Sequence, residues 1–335
     1  MSTKSDILNI LANSTGKYIS GQEIATSLNL SRNAIWKAIE ALKEEGYPVE
    51  SRSRHGYRLA RPIDMLSKEM IAGPLDFDCE VIVKEQVDST NTLAKTSFAS
   101  AMKTSGPSDE AVEHKPLLVV ANAQTAGRGR LGRSFYSPAD TGVYMSYAFS
   151  PKFDMSKSSL VTVAAAVAVA EAMEEVVKKS PKIKWVNDLY LKDKKIAGIL
   201  TEASMNLEGG QIDSIVIGIG LNCFTEDFPQ FENNVPGCIE TDVEYTRNQL
   251  ISSIACHLHR ILEEMDSKLI IFEYKTRCST LGKAITIYRE YNNPNEIGVK
   301  ARAIDIDDNG GLIVEYQGDM SGKLYTITSG EISIR

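Results

Sequence analysis

A glycine- and arginine-rich segment between two strand-like runs is the feature that most constrains the fold. Residues 117–121 and 143–149 are typical of buried strands, and the sequence Gly-Arg-Gly-Arg-Leu-Gly-Arg begins between them at Gly127. Its glycine spacing matches the dinucleotide-binding fingerprint by letter, but that fingerprint must open a helix. Here Pro138 leads into a strand instead. We therefore reject the match to a dinucleotide-binding turn and predict a mobile loop that closes over a ligand.

The same segment suits an anionic ligand. Arg128, Arg130 and Arg133 stand between its glycines, and Phe135 and Tyr136 follow directly. Glycine lets the backbone approach a ligand closely, and guanidinium groups pair well with phosphate and carboxylate. We predict a phosphate- or carboxylate-binding loop, with a solvated surface loop as the alternative.

A second group of charged residues follows an alanine- and valine-rich helix predicted over 158–178. The chain reads Lys-Trp-Val-Asn-Asp-Leu-Tyr-Leu from Lys184, which predicts a strand, a corner at Asn187 and Asp188, and a second strand. Lys195 begins the strand after the next turn, so we expect it to point across the sheet toward a bound anion. An Asx turn at the corner and a plain hairpin tip are the alternatives.

Hydroxyl and amide side chains follow the strand predicted over 80–87. The sequence Asp-Ser-Thr-Asn-Thr from Asp88 is typical of a helix N-terminus, and simple capping would also explain it. A further buried strand is predicted over 214–223, with glycines that allow close approach. No Ser/His/Asp or Cys/His constellation is evident. We therefore expect positive charge to stabilise a phosphoryl or acyl-phosphate transition state, without a covalent side-chain nucleophile.

The first 62 residues differ in charge from the rest of the chain. They hold 9 basic and 6 acidic residues, whereas the whole chain has a net charge of −7, so only this part suits a polyanion. Helices are predicted over 5–11, from Ser20 or Gly21 onward, and after Ser31, the last two at helix-turn-helix spacing. Residues 47–59 alternate as in a strand pair and turn near Arg54, which predicts a wing beside these helices.

The helix after Ser31 is the predicted recognition helix. Its inward stripe of Ile35, Ala38, Ile39 and Leu42 leaves polar, basic and aromatic side chains on the outer face. The predicted DNA-binding residues lie on this helix and at the wing tip: Ser31, Arg32, Asn33, Trp36, Lys37, Arg52 and Arg54. A small docking module is the alternative. An excess of three positive charges predicts weak binding by one copy, so we expect two copies on one operator.

Length and composition set the remaining bounds. A chain of 335 residues predicts two or three domains. The N-terminus lacks an apolar region behind its charges, and the longest apolar stretch, 160–170, is too short to cross a bilayer. We expect a cytoplasmic protein with no membrane partner. Five cysteines without a CxxC pair predict neither a disulfide framework nor a zinc site.

Beyond Leu281 the chain changes character. Five short strands are predicted, separated by Asp-Asn-Gly-Gly and Gly-Asp-Met-Ser-Gly turns. This pattern is typical of a small β-barrel. On the sequence alone, the barrel would also suit an independent binding module.

The motifs together resemble those of bifunctional biotin–protein ligases that also repress the biotin operon. The resemblance rests on the loop at Gly127, the run from Lys184 and the sequence Lys-Lys-Ile-Ala-Gly-Ile-Leu from Lys194, and it covers nearly the whole chain. It implies an α+β multidomain protein. The implied parts are a winged helix-turn-helix at 1–62, a class II synthetase-like mixed-sheet ligase domain at 63–280, and an SH3-like β-barrel at 281–335.

The resemblance also implies an activity and its residues. Biotin would react with ATP, bound with Mg²⁺, to form biotinyl-5′-AMP, and biotin would pass to a lysine of a biotin carboxyl carrier protein. Arg130 and Lys195 would be catalytic, and Asp188 would bind the magnesium. The implied biotin-binding residues are Ser89, Thr90, Asn91, Gln124, Arg128, Gly129, Arg130 and Lys195. The implied nucleotide-binding residues are Arg130, Arg133, Phe135, Asn187, Asp188 and Asn222.

Two positions depart from the family pattern. Val186 stands where a proline is usual, and Phe135 where a tryptophan is common. The implied partners are the carrier protein, operator DNA and a second copy of the chain, with the homodimer promoted by biotinyl-5′-AMP. The alternatives are a biotin sensor without catalysis and a lipoate-type ligase. The retained Arg130 and Lys195 disfavour the first, and the DNA-binding segment disfavours the second.

Overall fold

The computed structural model describes most of the chain. The described residues are 3–12, 14, 16–45, 47–60, 64–104, 114–153, 157–205, 212–230, 235–288, 298–317, 322–328 and 331–334. None of the helices found in these ranges is both long enough and apolar enough to span a membrane. The predicted linker at Pro62 and the boundary between residues 62 and 63 lie outside the described residues.

The amino-terminal part is a three-helix unit with a two-stranded hairpin. Its elements are α1 Thr3–Ala12, α2 Gly21–Leu28, α3 Arg32–Glu44, β1 Val49–Arg52 and β2 Gly56–Leu59. Ser20 and Ser31 cap α2 and α3 by accepting hydrogen bonds from the third backbone N–H of each helix. Asn29 ends α2 in the left-handed conformation, with a φ of 53°. The predicted helix-turn-helix and hairpin are confirmed.

This unit has a core of its own, separate from that of the body. Apolar side chains from all three helices and both strands form it, and Ile7, Ile24, Ile35 and Leu59 are fully buried. Met70, on the first helix of the body, packs against the same cluster. The unit is therefore stabilised by its own packing and touches the body through that helix.

The body is built on a seven-stranded mixed sheet. Its strands are β3 Glu80–Val87, β4 Leu117–Gln124, β5 Gly142–Phe149, β6 Lys182–Lys184, β7 Asp188–Leu191, β8 Lys194–Met205 and β9 Ile212–Asn222. Their order is β3-β4-β5-β9-β8-β7-β6, with β3 and β4 parallel and the other neighbours antiparallel. The predicted strands of the body are confirmed.

Helices cover both faces of this sheet. They are α4 Lys68–Ala72, α5 Thr90–Thr104, α6 Leu160–Val176, α7 Arg247–Glu264 and α8 Ser267–Arg277. On one face α5 packs on Val119 and Val216, and on the other α6 and α7 join the cluster that contains Leu118 and Ile217. Twelve of the 17 residues of α6 are buried, and this helix confirms the alanine- and valine-rich helix predicted over 158–178.

The glycine-rich segment opens no helix. Arg130–Gly132 forms a single 3-10 turn, and the chain then runs into β5. The exclusion of a dinucleotide-binding turn is thus confirmed.

Five antiparallel strands form the last described part. They are β10 Ala284–Tyr288, β11 Val299–Ile306, β12 Leu312–Tyr316, β13 Leu324–Ile327 and β14 Glu331–Ile334, in the order β13-β12-β11-β10-β14. The apolar side of this sheet, including Ile285 and Val314, belongs to the same core cluster as the body. Lys275 of α8 pairs with Asp305 of β11 at 2.7 Å. The sheet is therefore docked on the body.

Candidate ligand site

One cleft brings together every ligand-site residue predicted from the sequence. It opens on the α5 face of the sheet, where β3 and β4 end and α5 begins. The predicted residues that line it are Ser89, Thr90, Asn91, Gln124, Arg128, Gly129, Arg130, Arg133, Phe135, Asn187, Asp188, Lys195 and Asn222. Residues from four distant stretches of chain therefore meet in one place.

Polar side chains at the start of α5 form one end of the cleft. Gln124, the last residue of β4, accepts hydrogen bonds at Oε1 from the backbone N–H of Thr90 at 2.9 Å and from its hydroxyl at 3.2 Å. The Nε2 of Gln124 donates to the Ser137 hydroxyl at 2.9 Å. Both edges of the amide are used, so the orientation of Gln124 is fixed.

Asn91 is held just as firmly at the same end. Its Oδ1 lies 2.6 Å from the Ser146 hydroxyl, and its Nδ2 donates to Glu202 Oε2 at 2.7 Å and to the Leu200 carbonyl at 3.3 Å. Glu202 also pairs with Arg128 of the glycine-rich loop at 3.0 Å. Sequence reasoning missed Ser146 and Glu202, because each is brought in by the register of the sheet.

Three glycines on the central strands form the floor of the cleft. Gly198 of β8 pairs with Gly220 of β9, and Leu200 pairs with Gly218, so the three glycines share one face. A Cβ on Gly218 would lie 2.1 Å from Asn91 Oδ1, and one on Gly220 would lie 2.5 Å from the Phe135 ring. The missing side chains therefore make room for Asn91 and Phe135.

Lys195 enters the cleft from the edge of that floor. Its Nζ lies 2.7 Å from Asp188 Oδ1, and their side chains are 23% and 14% exposed. Its backbone is also fixed, since the N–H donates to the Val235 carbonyl at 2.9 Å. The neighbouring Lys194 instead pairs with Glu240 at the surface. Lys195 thus contacts a carboxylate on the neighbouring strand and lines the cleft, and its expected contact with an anion stays a prediction.

Arg130, in the glycine-rich loop, lines the same cleft as Lys195. Its guanidinium donates from NH1 to Asn187 Oδ1 at 3.0 Å. Asn187 is fixed in turn, because its Nδ2 donates to the Ile199 carbonyl at 3.0 Å. Two cations from separate elements, Arg130 and Lys195, therefore face the same half of the cleft.

Buried contacts hold the corner between β6 and β7. Trp185 donates from its backbone N–H to Thr280 Oγ1 and from its indole to the Gly310 carbonyl, each at 3.0 Å. The Tyr274 hydroxyl donates to the Val186 carbonyl at 3.1 Å. Burial raises the pKa of Tyr274, so this donor stays protonated. The wall formed by Trp185 depends on the carboxyl-terminal sheet, which also contributes Ile332 to the cleft.

Three parts of the chain match known protein families. Residues 83–222 match the biotin/lipoate A/B protein ligase family, residues 3–58 an HTH domain, and residues 280–335 the biotin protein ligase C terminal domain. The bifunctional ligase/repressor BirA of Bacillus spizizenii is 31% identical over 328 residues, which cover 96% of this chain and 97% of that protein. The chain belongs to the bifunctional biotin ligase/repressor family.

A second relative agrees with this assignment, and two solved structures share the fold. The bifunctional ligase/repressor BirA of Escherichia coli is 28% identical, over 98% of this chain and 96% of its own. The biotin protein ligase of Aquifex aeolicus, solved with biotin and ATP, superimposes with a TM-score of 0.56 and 24% identity over 76% of this chain and 98% of its own. The biotin protein ligase of Leishmania major, solved with biotinyl-5-AMP, superimposes with a TM-score of 0.51. Its identity is 23% over 75% of this chain and 99% of its own. These likenesses show the fold.

The HTH part of this family member presents its predicted DNA-binding residues to solvent. All seven of them, Ser31, Arg32, Asn33, Trp36, Lys37, Arg52 and Arg54, are exposed. Ser31 also serves as the N-cap of α3, where its hydroxyl accepts from the Ala34 N–H at 3.2 Å. Trp36 is 52% exposed, which is unusual for so large an apolar side chain.

The charged residues of the cleft also bear on metal binding. Within the described ranges, no three His, Cys, Asp or Glu side chains are grouped so that they could hold a metal ion. Asp188 is the carboxylate among the described residues that line the cleft. A single carboxylate suits Mg²⁺ that arrives with nucleotide phosphates, since Mg²⁺ in such sites keeps waters and phosphate oxygens as its other ligands.

Proposed function

We propose that this chain activates biotin with ATP and transfers it to a lysine of a biotin carboxyl carrier protein. In the first step a biotin carboxylate oxygen attacks the α-phosphorus of ATP, and pyrophosphate leaves. In the second the carrier lysine amine attacks the carbonyl carbon of biotinyl-5′-AMP, and AMP leaves. The supporting observation is that Lys195 and Arg130 face one half of a cleft whose other half is lined by fixed hydroxyl and amide groups.

The fixed polar groups suit the ureido end of biotin. Thr90, Asn91 and Gln124 offer both donors and acceptors to a planar N–H and C=O group, and their neighbours already fix their orientations. Ser89 is buried beside them. Arg128 and Gly129 belong to the covering loop. Because these side chains are already ordered, biotin can bind to them without breaking many of their existing hydrogen bonds.

The cations suit the reacting end. Joining a carboxylate to a phosphate brings two anions together, and Lys195 and Arg130 would stabilise the charge that develops between them. Arg133, Phe135, Asn187, Asp188 and Asn222 would line the nucleotide. Asp188 would hold Mg²⁺ bound to the phosphates, and that ion would neutralise part of their charge.

We assign three domains to the chain, at 1–62, 63–280 and 281–335. The body would be a class II synthetase-like ligase domain and the last sheet an SH3-like barrel. The separate core of the amino-terminal unit supports the first division. The sheet whose residues support Trp185 and line the cleft fits a part that assists the ligase site.

We assign operator binding to the amino-terminal unit. Trp36 and Lys37 lie on the exposed face of α3, and Arg52 and Arg54 on the hairpin, which matches a recognition helix beside a wing. The unit has few positive charges, so tight binding requires two copies. Biotinyl-5′-AMP would promote that homodimer by binding it better than the monomer. The proposal places the protein in the cytoplasm, with access to ATP and to DNA.

Ligation is tested by incubating the purified chain with biotin, α-labelled ATP and a carrier domain. We expect labelled biotinyl-5′-AMP first and biotin on the carrier lysine afterwards. A chain that binds biotin and forms no adenylate would be a sensor, and one that prefers lipoate would be a lipoate-type ligase. Either result overturns the proposed activity. Sedimentation and operator titration with and without the adenylate test dimerisation.

A further inference from the structure

We infer that Asp64, Arg247 and Asn122 form a positioning relay, through which the segment ahead of α4 sets the biotin end of the cleft. None of the three lines the cleft. The inference deepens the proposed function and rests on it, since the ligand it concerns is biotin. Its basis is one buried arginine whose partners come from three separate parts of the chain.

Arg247, the first residue of α7, is the buried centre of the relay. Its side chain is 1% exposed and that of Asp64 is 36% exposed. The backbone N–H of Arg247 donates to Asp64 Oδ1 at 2.7 Å, and its Nε donates to Oδ2 at 2.8 Å. Its NH2 also donates to the Asp64 carbonyl at 2.8 Å. The two residues are thus joined through both carboxylate oxygens and the backbone.

The far side of the same guanidinium reaches the body. NH1 of Arg247 donates to Asn122 Oδ1 at 2.8 Å and approaches the Gly142 carbonyl at 3.4 Å. Asn122 in turn donates from Nδ2 to Asp140 at 3.0 Å, and its Oδ1 accepts from the Asp140 N–H at 3.1 Å. Arg247 therefore holds together the end of β4 and the start of β5.

Those two strand ends are the base of the covering loop. Asn122 lies two residues before Gln124 on β4, so both side chains sit on the same strand end with a fixed spacing. The chain leaves the sheet after Gln124 and returns at Gly142. The hydrogen bond from Gln124 to Ser137 closes the loop from within. A shift of Arg247 would move Gln124 and both ends of the loop together.

Removal of the Asp64 carboxylate would cause such a shift. A buried guanidinium that loses its hydrogen-bonded carboxylate is disfavoured and must move toward water or toward other acceptors. One such acceptor is the Asp140 carboxylate, which lies 3.7 Å from NH2 of Arg247. In Asp64→Asn the side-chain NH2 would face either the backbone N–H or the Nε–H of Arg247, and that donor would lose its acceptor. The reacting cations, Lys195 and Arg130, belong to other contacts. We therefore expect weaker biotin binding with little change in chemistry.

The test measures steady-state kinetics and direct biotin binding on the full-length chain. The variant is Asp64→Asn, and Asp64→Glu is the charge-retaining rescue. Asp78→Asn is the matched control, because Asp78 is an exposed acid paired with Lys115 and lies outside the cleft. We expect Asp64→Asn to raise the biotin KM and the calorimetric Kd about 5- to 30-fold, as for a coupling between separate sites, and kcat to change less than about twofold.

The outcomes separate a positioning role from a structural one. A variant that is only partly folded has fewer active molecules, so its apparent kcat falls and its KM stays at the parent value. That result, or a biotin Kd equal to the parent value, overturns the relay. Asp64→Glu should return the Kd to within about threefold of the parent value, by restoring the charge pair. Since calorimetry needs no turnover, a parent that binds biotin and fails to ligate would refute the proposed function alone.

Discussion

The Lys195 ammonium lies 2.7 Å from Asp188 Oδ1, in a pair whose side chains are both largely buried. The two residues sit on neighbouring strands, with Lys195 opposite Tyr190 and Asp188 opposite Gly198. A carboxylate therefore holds the ammonium in place before any ligand arrives. An incoming phosphate or carboxylate would meet a cation that is already oriented, which lowers the cost of ordering it at the moment of reaction.

Lys195→Met should slow adenylation about 100- to 1,000-fold, the usual cost of removing one such electrostatic contact. Lys194→Met is the matched control, because Lys194 pairs with Glu240 at the surface and should retain the parent rate. Biotin-dependent exchange of pyrophosphate into ATP measures the step. A folded Lys195→Met protein with normal exchange would show that this cation takes no part in the chemistry.

Alanine substitutions at two glycines of the cleft floor should affect the KM values of biotin and ATP differently. Gly218→Ala places a Cβ 2.1 Å from Asn91 Oδ1, so Asn91 must move and leave buried polar partners unpaired. The biotin KM should rise about tenfold or more. Gly220→Ala instead meets the Phe135 ring at 2.5 Å, and should raise the ATP KM more than the biotin KM. Equal effects of both substitutions on both KM values would contradict this division of the cleft.

Lys37→Ala should weaken operator binding. It should also make the slope of the logarithm of affinity against the logarithm of salt concentration shallower by about one unit. Lys43→Ala is the control on the same helix, since its ammonium already pairs with Glu40 at 2.8 Å. Titrations with the identified operator at several salt concentrations give both slopes. If the Lys37→Ala slope matched that of the parent, Lys37 would not lie against a phosphate.

His257 should make the stability of the body depend on pH. Its hydrogen bond to Glu171 at 2.9 Å, with a second contact to Glu175 at 3.0 Å, holds the pKa of its imidazole above the ordinary value of 6.5. A raised pKa in the folded state stabilises the chain fully below the unfolded value, and the stabilisation disappears as the pH rises through the folded value. Partial burial of the ring opposes this effect on the pKa of His257, and Arg260 lies 3.5 Å from Nδ1.

Urea unfolding of the parent and of His257→Gln checks this dependence. The difference in the free energy of unfolding should be larger at about pH 6 than at about pH 9, on either side of the histidine range. His55→Gln, at the exposed hairpin turn, is the control. A difference that grows with pH would mean that the neutral ring is the form the fold prefers.

The sequence was sufficient for features that are local in the chain. The loop at Gly127 could be separated from a dinucleotide-binding turn because Pro138 follows within a few residues. The helix after Ser31 could be placed for the same reason, and Ser31 caps it. Lys195 could be singled out because it starts a strand, and strand ends place side chains at the rim of a sheet.

Contacts between distant residues could not be predicted. Glu202 reaches Asn91 only through the pairing of β8 with β9, and 111 positions separate the two residues. Arg247 and Asp64 are 183 positions apart. Neither pair leaves a local pattern, because Glu202, Arg247 and Asp64 each look like an ordinary surface charge in the sequence. The hydrogen bond of Trp185 to Gly310 likewise depends on docking of the last sheet.

The contribution of Ile332 to the cleft has a consequence for synthesis on the ribosome. Residues 3–59 carry a complete core, and translation, which runs from the amino end, finishes them long before β14 exists. The amino-terminal unit can therefore fold while the cleft still lacks a wall. A nascent chain stalled before Glu331 would carry the amino-terminal unit but lack the Ile332 side chain in its cleft. The order of translation thus lets the amino-terminal unit fold before the wall of the cleft is complete.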